Sequence, residues 1–155
     1  NLYCEGGEIP DLSNDFKKNL FITFITYLKF EKFFPFNFIV NSDSRGSFTE
    51  LMRSYSSGQT SFSITKPGIT RGNHFHTRKV ERFSVIKGIA KIELRKINTK
   101  EKLSFILDGS LPSFVDMPVW YTHNITNIGD TDLYTLFWVD EFFNEDDPDT
   151  FFEQV

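Results

Sequence analysis

The chain is poor in the residues that most often announce a chemistry. Cys4 is its one cysteine in 155 residues, so no intrachain disulfide can form. That usage fits a reducing compartment, and a cytoplasmic location is expected. No apolar run is long enough to span a bilayer. The most apolar stretch, LFITFITYL from Leu20 to Leu28, is too short and is flanked by Lys17, Lys18 and Lys29. It lacks the small-residue cleavage site of a secretory signal, and the chain does not open with Met. The absent Met reads as the trace of preceding protein, so the chain is expected to be the end of something longer. There is no Gly-rich dinucleotide loop, no internal repeat and no low-complexity segment.

Histidine is scarce as well, with three in the chain. Positive charge is not in excess, since the net charge is −4. Seven acids and no Lys or Arg fall between Asp140 and Val155, which reads as a solvated acidic tail. The remainder holds 17 basic residues against 14 acids. That mildly positive body suits an anionic small molecule and falls far short of a nucleic-acid face. What the chain does have in quantity is phenylalanine. Nineteen Phe and 17% aromatic residues point to a bulky aromatic core, and 39% hydrophobic with 25% charged residues reads as one globular domain.

Residues 10–30 read as one helix, with Asp11 and Ser13 as caps. Phe16, Leu20, Phe24, Tyr27 and Leu28 share its apolar stripe, which calls for a partner surface on a neighbouring domain or subunit. Its polar face is not basic, which argues against membrane binding. Pro35 and the loop Asn41–Gly46 punctuate the next stretch. Beyond them the pattern becomes β. Phe62 and Ile64 alternate with Ser61, Ser63 and Thr65; Ala90, Ile92 and Leu94 with Lys91, Glu93 and Arg95; Leu103, Phe105 and Leu107 with Lys102, Ser104 and Ile106. Leu133 to Val139 forms a further strand. Turn signals fall at Pro67-Gly68, Lys87-Gly88, Asn98-Thr99, Asp108-Gly109 and Gly129-Asp130. Many short strands at regular spacing mean an antiparallel sandwich or barrel.

The scarce histidines are not scattered. His74 and His76 are two apart, so on a strand both face one side. Glu81 lies five residues beyond His76, which requires an intervening turn or bulge. His123 stands in PVWYTHNITN, and a strand paired with the first would bring it to the same point. Three imidazoles and a carboxylate make a competent divalent-metal site.

The spacing Gly68, five residues, His74-x-His76, four residues, Glu81, six residues, Gly88 resembles the first cupin motif in full. Pro118-x-x-x-x-His123-x-x-x-Asn127 resembles most of the second, departing from it at Trp120, where the motif has Gly. The resemblance implies an all-β jelly-roll barrel, preceded here by the N-terminal α-helix, with a metal inside held by His74, His76, Glu81 and His123. Zn, Fe, Mn, Ni and Co all accept such ligands, and zinc is the ion expected.

Asp43-x-Arg45-Gly46-x-Phe48-x-Glu50 and Arg71-Gly72-Asn73-His74 also resemble stretches of the dTDP-sugar 3,5-epimerases, jelly rolls that use the His as a base without metal. The run from SDSRGSFTE through PDTFFEQV is similar to the C-terminal domain of the bifunctional capsular-polysaccharide sugar-nucleotide enzymes, in which an NADPH-dependent reductase domain precedes a cupin. By that resemblance residues 1–38 are the tail of the reductase and a linker, and residues 39–155 are the cupin. NADP(H) then belongs only to the missing reductase. The implied reaction is inversion at C3 of a UDP-4-keto-6-deoxy-N-acetyl-hexosamine, with reduction at C4 by the other domain.

Inversion needs proton donors and acceptors on opposite faces; Tyr121, Lys66 and Glu50 are the candidates, each equally readable as a surface or structural residue. Arg45 is assigned to the diphosphate or sugar, with a loop salt bridge as the competing reading. Trp120, Phe75 and Trp138 are readable as stacking platforms or, more simply, as core. Homodimerisation is expected, because jelly rolls expose sheet edges. Two other functions remain open: a non-catalytic sugar-binding or dimerisation module, and an Fe-dependent cupin dioxygenase.

Overall fold

Two antiparallel sheets face each other in a computed structural model that describes residues 2–155. Three short helices come first: α1 (Leu2–Gly6), α2 (Asp15–Thr26) and α3 (Phe30–Phe33). Eleven strands come after them: β1 (Val40–Asp43), β2 (Gly46–Ser54), β3 (Gly58–Thr65), β4 (Thr70–Phe75), β5 (Glu81–Lys87), β6 (Ile89–Lys96), β7 (Lys102–Asp108), β8 (Ser113–Met117), β9 (Tyr121–Asn127), β10 (Leu133–Val139) and β11 (Phe151–Phe152). One sheet runs β1-β2-β3-β10-β5-β8 and the other β11-β4-β9-β6-β7. This is a jelly-roll barrel, all-β apart from the N-terminal helices.

The expected helix over 10–30 is shorter and broken. Asn14, in extended conformation, caps α2 by accepting from the Lys17 amide at 2.9 Å. Asp11 instead receives the Ser13 amide and ion-pairs with Lys17, so it holds the turn before the helix. The chain leaves helical geometry after Thr26 and re-enters it at Phe30. The expected stripe does not pack as a unit: Phe16, Leu20 and Tyr27 are exposed, while Phe21 and Phe24 pack edge-on against Tyr3. The segment is tied to the barrel through Ile9, whose amide donates to Arg53 and whose carbonyl accepts from Tyr55.

The hydrophobic core is Phe83, Val85, Ala90, Ile92, Leu94, Leu107, Met117, Ile125 and Leu133. It is aliphatic, with Phe83 its one phenylalanine, so the expected bulky aromatic core is absent. The alternation in β6 turns Ala90, Ile92 and Leu94 inward as written. In β7 only Leu107 is buried, because β7 is a sheet edge and leaves Leu103 and Phe105 partly open. In β3 the pattern inverts. Gln59, Ser61, Ser63 and Thr65 are buried and face the interior, while Phe62 and Ile64 lie on the outer face, where Phe62 meets Tyr134. The stretch Asn41–Gly46 is mostly strand, with its turn confined to Ser44 and Arg45.

The acidic terminus is largely solvent-exposed, as the charge run suggests, but it is fastened to the barrel rather than loose. Its β11 pairs with β4, matching Phe151 with Phe75 and Phe152 with His74. Asp149, 3% exposed, accepts hydrogen bonds from the amides of Thr77, Arg78 and Lys79 and from the Thr77 hydroxyl. Arg78 adds ion pairs to Glu141 and Asp147. The segment is a strap over the end of the barrel where the histidines lie.

Candidate metal centre

Strands β4 and β9 are hydrogen-bonded neighbours, and their register sets His74 directly opposite His123. His76 lies just past the end of β4, and Glu81 opens β5 in the facing sheet. The turn required between His76 and Glu81 is present, since the chain leaves β4 after Phe75, bends at Thr77 and Arg78 and enters β5 at Glu81. A second irregularity, not expected from the spacing, lies upstream of His74. Arg71 is opposite Ile125 and His74 opposite His123, so three steps on β4 match two on β9. Gly72 and Asn73 absorb the extra residue with φ of 95° and 61°. A Cβ on Gly72 would meet the His123 carbonyl oxygen at 2.8 Å. This β-bulge turns Arg71 and His74 to the same inner face, although an odd spacing would separate them on a regular strand.

Four side chains thus converge. Glu81 Oε2 lies 3.1 Å from His76 Nε2, 3.1 Å from His123 Nε2 and 3.9 Å from His74 Nε2. One ligand atom from each residue falls within 4.8 Å of the others. Donors about 2.0–2.2 Å from a tetrahedral zinc ion sit roughly 3.5 Å apart, close to this arrangement.

The surroundings aim these donors. His76 Nδ1 is 2.6 Å from the Asp149 carbonyl oxygen, and His123 Nδ1 is 3.2 Å from that of Tyr121. A carbonyl only accepts, so each Nδ1 carries the proton and each Nε2 turns toward Glu81. His76 Nε2 is buried and, although 3.1 Å from Glu81 Oε2, makes no hydrogen bond. Burial pushes the His74 imidazole below its ordinary pKa, favouring the neutral form that ligates metal. Burial alone would raise the Glu81 carboxyl, but contacts with His123, His74 and His76 outweigh it and hold the group well below the ordinary carboxylate range. A carboxylate and three imidazoles in this pose fit a divalent cation.

The cluster opens on a cavity of about 970 Å³. Glu50, Gln59, Ser61, Arg71 and Lys79 supply polar wall, and Phe48, Phe83 and Phe137 apolar wall. Glu50 and Arg45 therefore reach the cavity. Tyr121 packs against the hydrophobic core, and Lys66 is exposed in the turn after β3; neither lines the cavity. Glu50 is gripped by Arg53 through two 3.0 Å contacts. Arg45 makes the loop salt bridge, both guanidinium contacts going to Asp43 at 3.0 and 2.6 Å.

The aromatic candidates divide as well. Phe75 stacks between Phe151 and Trp120 on the strap side, and Trp138 donates its indole N–H to the Ser57 carbonyl. Trp120 occupies the motif's glycine position with φ of 64°, so the turn keeps the left-handed geometry and the bulky residue adopts it. Its amide still donates to the His76 carbonyl at 2.8 Å, joining the two ligand segments. Arg71 and Lys79 are cavity cations that the sequence alone does not single out. Lys79 lies between His76 and Glu81 in the sequence, and Arg71 at the head of the bulge.

A jelly-roll barrel with three histidines and a glutamate converging at its interior defines a cupin with a metal-capable centre. This chain belongs to the polysaccharide biosynthesis C-terminal domain family, whose model matches residues 41–151. It is 37% identical over 132 residues to a Pseudomonas aeruginosa UDP-2-acetamido-2,6-beta-L-arabino-hexul-4-ose reductase, covering 85% of this chain and 35% of that one. It is 25% identical over 119 residues to the Bacillus subtilis spore coat polysaccharide biosynthesis protein SpsL, covering 70% and 79% of the two chains. The crystal structure of the capsular polysaccharide assembling protein CapF from Staphylococcus aureus superposes with a TM-score of 0.89 at 42% identity, over 99% of this chain and 42% of that one. The chain thus spans well under half the length of the reductase and of CapF. Among the described residues no helix is long and apolar enough to cross a membrane.

Proposed function

We propose that this chain is the domain that inverts C3 of a UDP-4-keto-6-deoxy-N-acetyl-hexosamine during synthesis of a capsular or surface polysaccharide precursor. An NADP(H)-dependent reductase domain, of which residues 1–38 are the tail, then reduces the C4 ketone. The convergence of His74, His76, Glu81 and His123 on a cavity large enough for a sugar carries this reading. The relationship to proteins of polysaccharide biosynthesis, one of them named for a 4-keto UDP-sugar, supports it.

A proton beside a ketone leaves only if the enolate is stabilised. A divalent ion, zinc in this reading, would be held by the four ligands and would supply Lewis-acid stabilisation at the C4 carbonyl oxygen, worth several kcal/mol. The chain's own residues do the rest. Glu50, oriented by Arg53, takes the C3 proton on one face, and a proton is returned from the other. Phe48, Phe83 and Phe137 exclude water from the reacting carbon. A homodimer is part of the same reading, with the edge strand β1, exposed along its length, available for pairing; light scattering reads it directly.

The test is solvent deuterium. The zinc-loaded chain incorporates deuterium at C3 of the keto-sugar, and the His123→Ala variant does not. No incorporation by a folded, metal-loaded chain would leave a binding module in place of an epimerase. Oxygen consumption with bound Fe(II) would favour the dioxygenase instead.

A further inference from the structure

Two arginines line the cavity, and the structure treats them differently. Arg45 sits on the exposed β1–β2 turn with its guanidinium committed to Asp43. Arg71 is half-buried on the inner face of β4 and makes no ion pair among the described residues. Its one hydrogen bond runs from Nε to the hydroxyl of Thr65, at 3.1 Å. Thr65 is 1% exposed, so the contact is a fixed support. It pins the plane of the fork and leaves the two terminal nitrogens unengaged. Burial and the nearby Arg45 both work against the charge on Arg71, and the Asp43 carboxylate offsets them only in part. A half-buried cation in that position is relieved by an anion.

The bulge fixes where that anion would lie. With Gly72 and Asn73 absorbing one residue, Arg71 stands two strand positions from His74 on the same wall, roughly 7 Å along the strand. One sugar ring spans such a gap. A planar fork binds phosphate oxygens in two parallel hydrogen bonds. Lys79, the other cavity cation without a carboxylate, points elsewhere: its Nζ donates to the Pro148 carbonyl on the strap at 2.7 Å.

We propose that Arg71, not Arg45, is the anchor for the diphosphate of a nucleoside-diphosphate sugar, and that Thr65 and the Gly72-Asn73 bulge hold it one sugar ring from the metal cluster. The assignment rests on the sugar-nucleotide reading above and sharpens it. Arg45 contributes to the cavity's field and makes no direct bond to the ligand. Thr65 is a positioning residue.

Calorimetric titration of the zinc-loaded 155-residue chain with UDP, pyrophosphate and uridine tests this. UDP and pyrophosphate bind competitively, and uridine binds far more weakly. Arg71→Gln weakens UDP by roughly tenfold or more, and Arg71→Lys by less, because it keeps the charge and loses the fork. Arg45→Gln changes UDP affinity by less than about threefold, since Asp43 already occupies that side chain. Zinc stoichiometry and thermal midpoint stay at the parent values in all three. Unaltered UDP binding in a folded Arg71→Gln chain, a larger loss in Arg45→Gln, or no UDP binding by the parent chain would overturn the assignment. A crystal of the parent chain with UDP needs no variant: phosphate oxygens on the Arg71 fork support the anchor, and phosphates elsewhere remove it. Failure here is separable from failure of the epimerase reading. Deuterium exchange with Arg71-independent UDP binding sinks only the anchor, and Arg71-dependent binding without exchange sinks only the chemistry.

Discussion

The two walls of the barrel interior differ in kind. On one, β6 and β9 turn Ala90, Ile92, Leu94 and Ile125 inward, all nearly inaccessible, and they build the core. On the other, β3 and β10 turn Ser61, Ser63, Thr65 and Thr135 inward, equally inaccessible and polar. The apolar wall holds the barrel closed. The polar wall leaves room, and the cavity runs along it past Gln59 and Ser61. Glu81 and His123, from strands that also carry core residues, meet His74 and His76 from the end of β4 at the seam. The contrast is between strands rather than sheets: the core also draws Phe83, Val85, Met117 and Leu133 from the sheet of β3 and β10, and the four converging side chains come from both sheets.

Substitutions can break this contrast. Ile92→Ala, on the apolar wall, should cost about 3 kcal/mol in chemical denaturation, because the site is fully buried and cannot collapse freely. Asp149→Asn strikes the strap at the seam. Burial would raise the Asp149 carboxyl, but hydrogen bonds from the Thr77 hydroxyl and the amides of Arg78, Thr77 and Lys79 bring it down to about 2. A depressed acid stabilises the fold fully above its ordinary pKa and loses that contribution as pH falls through its folded value. The loss should therefore run from about pH 4 to about pH 2 and amount to about 2 kcal/mol. The Asn variant should be weaker by a similar amount at pH 7 and flatter across that acid range; an unchanged acid limb would show that the strap does not depend on this carboxylate.

Gly72→Ala tests the bulge. Its Cβ would press on the His123 carbonyl in a left-handed conformation, so about 1–2 kcal/mol of stability and part of the metal affinity should go together. Loss of stability with metal affinity intact would separate the bulge from the site. Ser63→Ala, on the polar wall, should change stability by less than about 0.5 kcal/mol, since its buried hydroxyl has no partner to lose. A cost like that of Ile92→Ala would mean that the polar wall is structural after all.

Much of the site was legible because metal ligation demands particular residue types at particular spacings. The four side chains that converge in the barrel stand out from motif spacing alone. The fold class was legible because alternation and turn residues recur, and β6 follows that alternation faithfully. In β3 the same reasoning points the wrong way, because alternation marks two faces without saying which is inside, and a polar cavity reverses the usual answer. Arg45 and Arg71 look alike in a sequence; only the Asp43 contact and the Thr65 support tell them apart. Acidic density at the C-terminus suggested solvation, while Asp149 is instead satisfied by three consecutive amides that no local pattern reveals. Tyr121 and Lys66 are candidates by residue chemistry alone, which carries no position, and neither lines the cavity.

The proposed function requires that His74, His76, Glu81 and His123 hold one divalent ion inside the barrel. Anomalous diffraction at the zinc edge, from crystals of the zinc-loaded chain, tests it most directly. A single strong peak is expected about 2.0–2.2 Å from three imidazole nitrogens and a Glu81 oxygen. A peak at other residues, or none at saturating zinc, would contradict it.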